Sequence, residues 1–537
     1  MKRTILFLTF VFVLTLQSRA AAIVAHDPGY YTSLANHIAR WLRSEGVTAV
    51  VTTPGAMKKV LQQERVAFLV GFVTPTAAEI AELKAFRQRG GKLIVFYSSS
   101  PQLADMMGVK TLGYKQASYP GEWSRMNFNA KTPEGLPPAI LQTSTVLMRV
   151  TPLPGKGRVI ATWADRIGKS TGEAAWIATP SGYWMSHVLL ADGDEELKAQ
   201  LCAALVSSVV PKSWSYAVHR AKASSKANAL VEFAKKQTPR KGEIHAVWDH
   251  SGCGLYPGNW PKTMEILKRS KVTDVFVNVA GAGFAHYPSA ILPRSKTYQQ
   301  EGDQLAAALG AAQGMGIRVH AWVLCFSATR STPDRLKEFQ KRGWRLKTPQ
   351  GKLTEYLDPA NPAVREYVLR AVAEISTKYP VAGIHLDFVR WGDSAAKPKD
   401  AAVYVTRFVS EARRQVKRPK WLTAAVYGKY PNCVASVGQD WDSWMRLGLL
   451  DYVVPMDYSD SNEKFEELLK QQSLMKAHAR KTIAGLGITA NESRLDAKKA
   501  IEQINLTRRY GLAGNALFDL DTTLEKNILP YLRMGIW

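Results

Sequence analysis

At 537 residues the chain exceeds what one hydrophobic core usually serves, so two or more domains are expected. Its four cysteines are far apart and lack CxxC or Cys/His metal spacing, which argues against a disulfide framework and a zinc site. HExxH, P-loop and GxGxxG patterns are absent too, so no metal or cofactor is expected. The formal charge of +26 is spread over both halves. Such an excess suits acidic polysaccharide, cell wall or a membrane surface, or serves solubility alone. No basic helix or aromatic RNA-binding motif points to nucleic acid.

The chain opens with Met1-Lys2-Arg3, an apolar run from Ile5 to Leu16, and Ser18-Arg19-Ala20 at cleavage positions. This pattern predicts a cleavable secretory signal over 1–21, too short to span a bilayer comfortably. No later stretch reaches the roughly 18 apolar residues of a span. A secreted or periplasmic protein without an integral membrane segment is therefore expected.

Residues 22–215 read as an α/β domain. Ile23-Val24-Ala25 begins a strand, Tyr31 to Ser44 is an amphipathic helix, and Thr48–Val51 is the next strand. Val66–Val73 follows, then a helix over Thr76–Arg89, Gly90-Gly91, and the strand Lys92–Tyr97. Alternation of this kind predicts a parallel sheet with helices on both faces. The "helix, RxGGxLIVF, small-residue turn" pattern resembles class I glutamine-amidotransferase-like (flavodoxin-like) domains. Active members carry a Cys nucleophile at that turn, where this chain has Ser98-Ser99-Ser100-Pro101; a non-catalytic domain is expected. Trp163, Trp176 and Trp184 read as core, with a sugar-stacking face as the alternative. A helix and polar linker fill 216–242.

From residue 243 to 537, strand-length apolar runs alternate with helical segments. The runs are Ile244–Trp248, Val272–Val279, Ile317–Cys325, Val381–Val389, Trp421–Tyr427, Leu450–Met456, Thr482–Ile488 and Ala513–Asp519. Asn361-Pro362 caps one of the intervening helices, which runs to Lys378. Eight such alternations predict a (β/α)₈ barrel, whose chemistry belongs at the carboxyl ends of the strands. The fourth run, Gly383-Ile384-His385-Leu386-Asp387, puts His385 and Asp387 on one face. An acid in such a run carries a desolvation cost unless it is paired or functional. The sixth run exits on Met456-Asp457-Tyr458.

The fragments YPVAGIHLDFVRW, IRVHAWVL, LDPANPAVREYV and GLLDYVVPMDY closely resemble glycosyl-hydrolase-like family ten barrels. That resemblance implies an enzyme acting on envelope or extracellular glycans. It aligns Asp387 with the family's acid at the fourth strand, and places His320, Trp322, Arg390, Asp457 and Tyr458 around the mouth. The chain departs from the family at Ala382, where Asp is usual. Val389 stands where a chitinase-like signature has its catalytic Glu. Glycosidic cleavage uses two carboxyl groups; Asp387 is expected as acid/base with Asp457 as partner, and Asp519 and Glu492 as rivals. Trp322 or Trp391 offers a stacking face, His320 an acid-tuning partner, Arg390 a carboxylate or sulfate contact, and Tyr427 a further cleft residue. The expected activity is hydrolysis of a polysaccharide; the alternative is glycan binding without cleavage on a degenerate barrel.

Overall fold

The computed structural model describes residues 20–26, 29–118, 121–129, 133–165, 168–191, 193–473 and 476–537. Most of the expected signal therefore lies outside the described residues. The chain divides into two compact units, Met1–Ser225 and Lys226–Trp537. No helix among the described residues is long and apolar enough to cross a membrane.

The first unit is built on one nine-stranded sheet. Strands Ala49–Thr52, Ala21–Ala25, Val66–Val70, Lys92–Phe96 and Gly182–Met185 lie side by side and parallel. The expected parallel sheet is present, and antiparallel strands from 123–128, 139–144, 158–164 and 170–179 extend it. Trp163, Trp176 and Trp184 are fully buried, so they form core. At the turn after Phe96, Tyr97 adopts φ 46°. The serines that follow are structural: Ser98 Oγ–H donates to the Phe72 carbonyl, and Ser100 Oγ accepts from the Leu103 N–H to start a short helix.

The second unit holds eight parallel strands, labelled here β1 (Ile244–Asp249), β2 (Asp274–Gly281), β3 (Arg318–Leu324), β4 (Gly383–Asp387), β5 (Trp421–Tyr427), β6 (Tyr452–Met456), β7 (Ile483–Gly487) and β8 (Gly514–Phe518). Each pairs with the next, and β1 pairs with both β2 and β8, which closes the barrel. The strand alternation sorts side chains into two cores. Val247, Val277, Ala321, Ile384, Leu386, Ala424 and Leu486 face the surrounding helices. Ile244, Ala246, Trp248, Phe276, Trp322, Val454 and Ala516 fill the interior. Gly485 on β7 makes room for the Trp248 indole, because a Cβ there would lie 2.9 Å from Trp248 Cη2 and 2.7 Å from the Pro455 carbonyl oxygen. The helix Pro362–Lys378 starts as expected, with Asn361 Oδ1 accepting from the Ala363 N–H.

Some of the polar residues in this interior bond to one another. The Trp248 indole donates to His385 Nε2 at 2.9 Å, and His385 Nδ1 lies 2.8 Å from Thr423 Oγ1. An indole only donates, so Nε2 is the acceptor and Nδ1 carries the proton. Burial holds this imidazole well below its ordinary pKa, so it is neutral.

Nearer the amino ends of the strands, Asp274 takes two hydrogen bonds from Arg318, at 2.8 and 2.7 Å, and lies 2.8 Å from His320 Nε2. Burial raises the Asp274 pKa, but His320 and Arg318 outweigh it and hold the carboxyl down at about 2. A depressed acid stabilises the fold above its unfolded pKa and loses that contribution as pH falls from about 4 toward 2. Asp274→Asn is expected to cost on the order of 2 kcal/mol at pH 7 and to flatten the acid limb of stability, read by urea unfolding between pH 2 and 7.

Candidate active site

The carboxyl ends of the strands form an aromatic-lined mouth with Asp387 on its wall. Asp387 ends β4 facing inward, and its side chain is only 8% exposed. Trp322, from the neighbouring β3, donates its indole N–H to Asp387 Oδ2 at 3.1 Å. The Phe388 backbone N–H donates to Oδ1 at 2.5 Å. Burial raises the Asp387 pKa; nearby Arg390 and these two donors act in the opposite direction. The result is a carboxyl held in a fixed orientation and displaced toward the protonated form.

The strand breaks immediately after Asp387. Phe388 sits in the left-handed region at φ 47°, a strained conformation for a bulky side chain. The turn sends Val389 into the helix-facing core and brings Arg390 back over the mouth. A glutamate at position 389 would therefore not reach the mouth along this backbone. The Arg390 guanidinium lies over the Phe388 and Tyr427 rings, 4.1 and 4.7 Å from their centroids. Its Nη1 is 3.7 Å from Asp387 Oδ1, and its Nη2 is 3.5 Å from Asp393 Oδ2. The Tyr427 and Tyr356 hydroxyls donate to the two oxygens of Asp393, at 2.8 and 3.3 Å. This set links β4, β5 and the hairpin strand Leu353–Leu357 into one polar wall.

The opposite wall comes from β1, β6 and β8. Tyr458 packs on Phe518 at 5.5 Å and edge-on to Trp248 at 6.4 Å. Burial pushes the Tyr458 hydroxyl well above its ordinary pKa, reinforced by the charges of Asp387, Asp519 and Glu492, so it remains an O–H donor. Asp519, just beyond β8, accepts from the His250 N–H at 3.1 Å. Burial and neighbouring Asp249 push its pKa up to about 7. The His250 ring lies between Trp322 and Phe518, 5.9 Å from each centroid. Asp249 is an anchor for the turn, accepting from Ser251 Oγ–H and the N–H groups of Gly252 and Gly254.

Of the residues singled out from the sequence, Asp387, Trp322, Arg390, Tyr427 and Tyr458 meet at the mouth. Trp322 is buried and acts on Asp387 through its N–H, so its face is no open platform. Three others lie elsewhere. Asp457 follows the inward Met456 and points to the helix layer, where Gln472 Nε2 donates to its Oδ1 at 2.7 Å and Gly428 packs against it. His320 belongs to the Asp274 pair near the amino ends of the strands. Trp391 is buried with Leu346 and Ala401 in a satellite cluster, its N–H donating to the Ala396 carbonyl. The reasoning from strand ends did not find His250, Asp393 or Tyr356, which stand on loops and a hairpin outside the barrel strands.

Residues 257–425 match the family described as Glycosyl hydrolase-like 10. The resemblance expected of the C-terminal half is thereby borne out, and the matched stretch contains Trp322, Asp387 and Arg390. A curated relative, the Glycosyl hydrolase DigH of Escherichia coli strain K12, is 27% identical over 265 residues, covering 38% of this chain and 60% of the relative. The chain thus spans about 60% of the length of the curated relatives it matches. Among solved structures, the PgaB (BpsB) glycoside hydrolase domain from Bordetella bronchiseptica aligns at 15% identity with a TM-score of 0.42, over 55% of this chain and 99% of that one. The Bacillus cereus spore cortex-lytic enzyme SleL aligns at 10% identity with a TM-score of 0.37, over 56% and 76%.

Proposed function

We propose that the protein is a secreted glycoside hydrolase that cleaves a bacterial envelope or extracellular polysaccharide, with Asp387 as its acid/base. The observation that carries this reading is the Asp387 carboxyl itself: inward-facing at a strand's end, raised in pKa by burial, and oriented by two N–H donors. A general acid needs a proton at working pH and a fixed direction, and this environment favours both. Asp519 is the second carboxyl in this reading, because it faces the same mouth whereas Asp457 does not. Tyr458 and Tyr427 line the cleft in which a sugar would lie, and Arg390 stands on the same wall as Asp387, with Nη1 3.7 Å from its Oδ1. The apolar run at the amino terminus supports export, and the family match supports glycan chemistry.

The test is reducing-end release from a panel of polysaccharides, comprising peptidoglycan glycan strands, chitosan, and sulfated and uronic-acid glycans. Release from one polymer supports the hydrolase. Binding of a polymer with no new reducing ends over long incubation would instead establish a glycan-binding protein on a degenerate barrel. The departure from the family's pattern at Ala382 is the feature that favours this second reading. If Asp519 takes part, the pH–rate profile carries an inflection near 7 that Asp519→Asn removes.

A further inference from the structure

A cavity of about 480 Å³ opens at the amino-terminal end of the barrel, away from the mouth. Four cations line it: Arg240 and Lys241 ahead of β1, Arg318 at the start of β3, and Arg480 ahead of β7. Trp421 and Tyr452, the first residues of β5 and β6, form part of its wall. Among the described residues, no acidic side chain lines it.

The two carboxylates beneath it are already neutralised. Asp274 is held by the Arg318 fork and by His320, while Glu243 is bonded by Arg508 and lies beside His245. Arg318 uses Nε and Nη2 on Asp274 and stacks over Trp421 at 4.5 Å, which fixes its orientation and leaves Nη1 over. Arg240 Nη2 donates to the Leu512 carbonyl, and its Nε stands 3.6 Å from Glu243. The Lys241 and Arg480 side chains have no ion pair or hydrogen bond among the described residues. Like charges from three separate chain segments thus converge on one concavity, two held rigidly and two without a counter-ion. Arg318 and Arg240 are fixed by their bonds while Lys241 and Arg480 extend from the exposed rim, so the set offers donors whose mutual repulsion an anion would relieve.

We infer that this cavity is a binding site for a small anionic ligand bearing a phosphate or carboxylate group, separate from the mouth and independent of the hydrolase reading. Its volume falls within the range of small-ligand pockets, which fits a group or sugar unit and not an extended polymer. The experiment is calorimetric titration of the full chain at fixed ionic strength with sodium phosphate, with sodium glucuronate, and with neutral glucose as control. Binding of phosphate or glucuronate is expected, and which of them binds tells the phosphate source from the carboxylate one. The exposed pair Lys241→Ala/Arg480→Ala should weaken that binding by about tenfold or more while leaving the unliganded Tm unchanged. If the double variant is unstable, Arg480→Gln alone serves, with a smaller loss expected. Absence of binding by both anions, or binding that the charge substitutions leave unchanged, overturns the site. Because titration reads binding alone, its outcome is separable from any failure to detect cleavage.

Discussion

Asp387→Asn is expected to lower glycan cleavage by about a thousandfold or more while the protein remains folded. The amide has nearly the shape of the acid, but it can neither give a proton to a leaving oxygen nor take one from water. General acid–base catalysis alone accounts for roughly 10²–10⁴ in rate, and a carboxyl that serves both steps loses both. The asparagine carbonyl keeps one of the two N–H donors, from Trp322 or Phe388, and turns its own NH₂ toward the other. Relief of a buried carboxyl offsets part of that cost, so circular dichroism and Tm should stay close to wild type. Activity that survives in Asp387→Asn would remove Asp387 from catalysis.

Trp322→Phe separates orientation from chemistry. It keeps an aromatic ring, though a smaller one than the indole, and removes the N–H on Oδ2, a bond that favours the ionised carboxyl. Without it the Asp387 pKa rises further, so the pH dependence assigned to Asp387 should shift upward along with a fall in kcat of about tenfold. A merely structural tryptophan would change Tm without moving the pH profile.

The sequence makes the barrel readable because its period-two alternation is clean. Counting along β4 puts His385 and Asp387 inward, and the structure has both there. Height within the barrel is harder to read. His320 and Trp322 share a face, but β3 begins at Arg318, so His320 falls in a lower layer with Asp274 while Trp322 reaches the acid. Asp457 shows two rules in conflict. A carboxyl at a strand exit suggests the mouth, whereas the alternation Tyr452, Val454, Met456 sends residue 457 outward, and alternation wins. Arg390 reaches the mouth only because Phe388 adopts a positive φ, which residue pattern does not signal. Asp393 and Tyr356 come from a loop and a hairpin after the strands, where no periodicity marks which side chain turns inward.

The outward placement of Asp457 leads to the second large effect. Its carboxyl is fully buried, bonded among the described residues only to Gln472, and burial pushes its pKa up to about 8. In the unfolded chain the same group ionises near 4. Between these values the folded state keeps a proton that the unfolded state releases, so stability falls as pH rises from about 4 to about 8. Above that range the fold carries a buried charge at a cost on the order of a few kcal/mol. Asp457→Asn preserves the acceptor for Gln472 and removes the titration. The variant should match wild type in urea unfolding at pH 4, exceed it by a few kcal/mol at pH 9, and cleave glycan at an undiminished rate. Parallel stability curves for the two proteins across this range would refute the buried, unpaired carboxyl. A stable Asp457→Asn protein without activity would return Asp457 to the role of catalytic partner and displace Asp519.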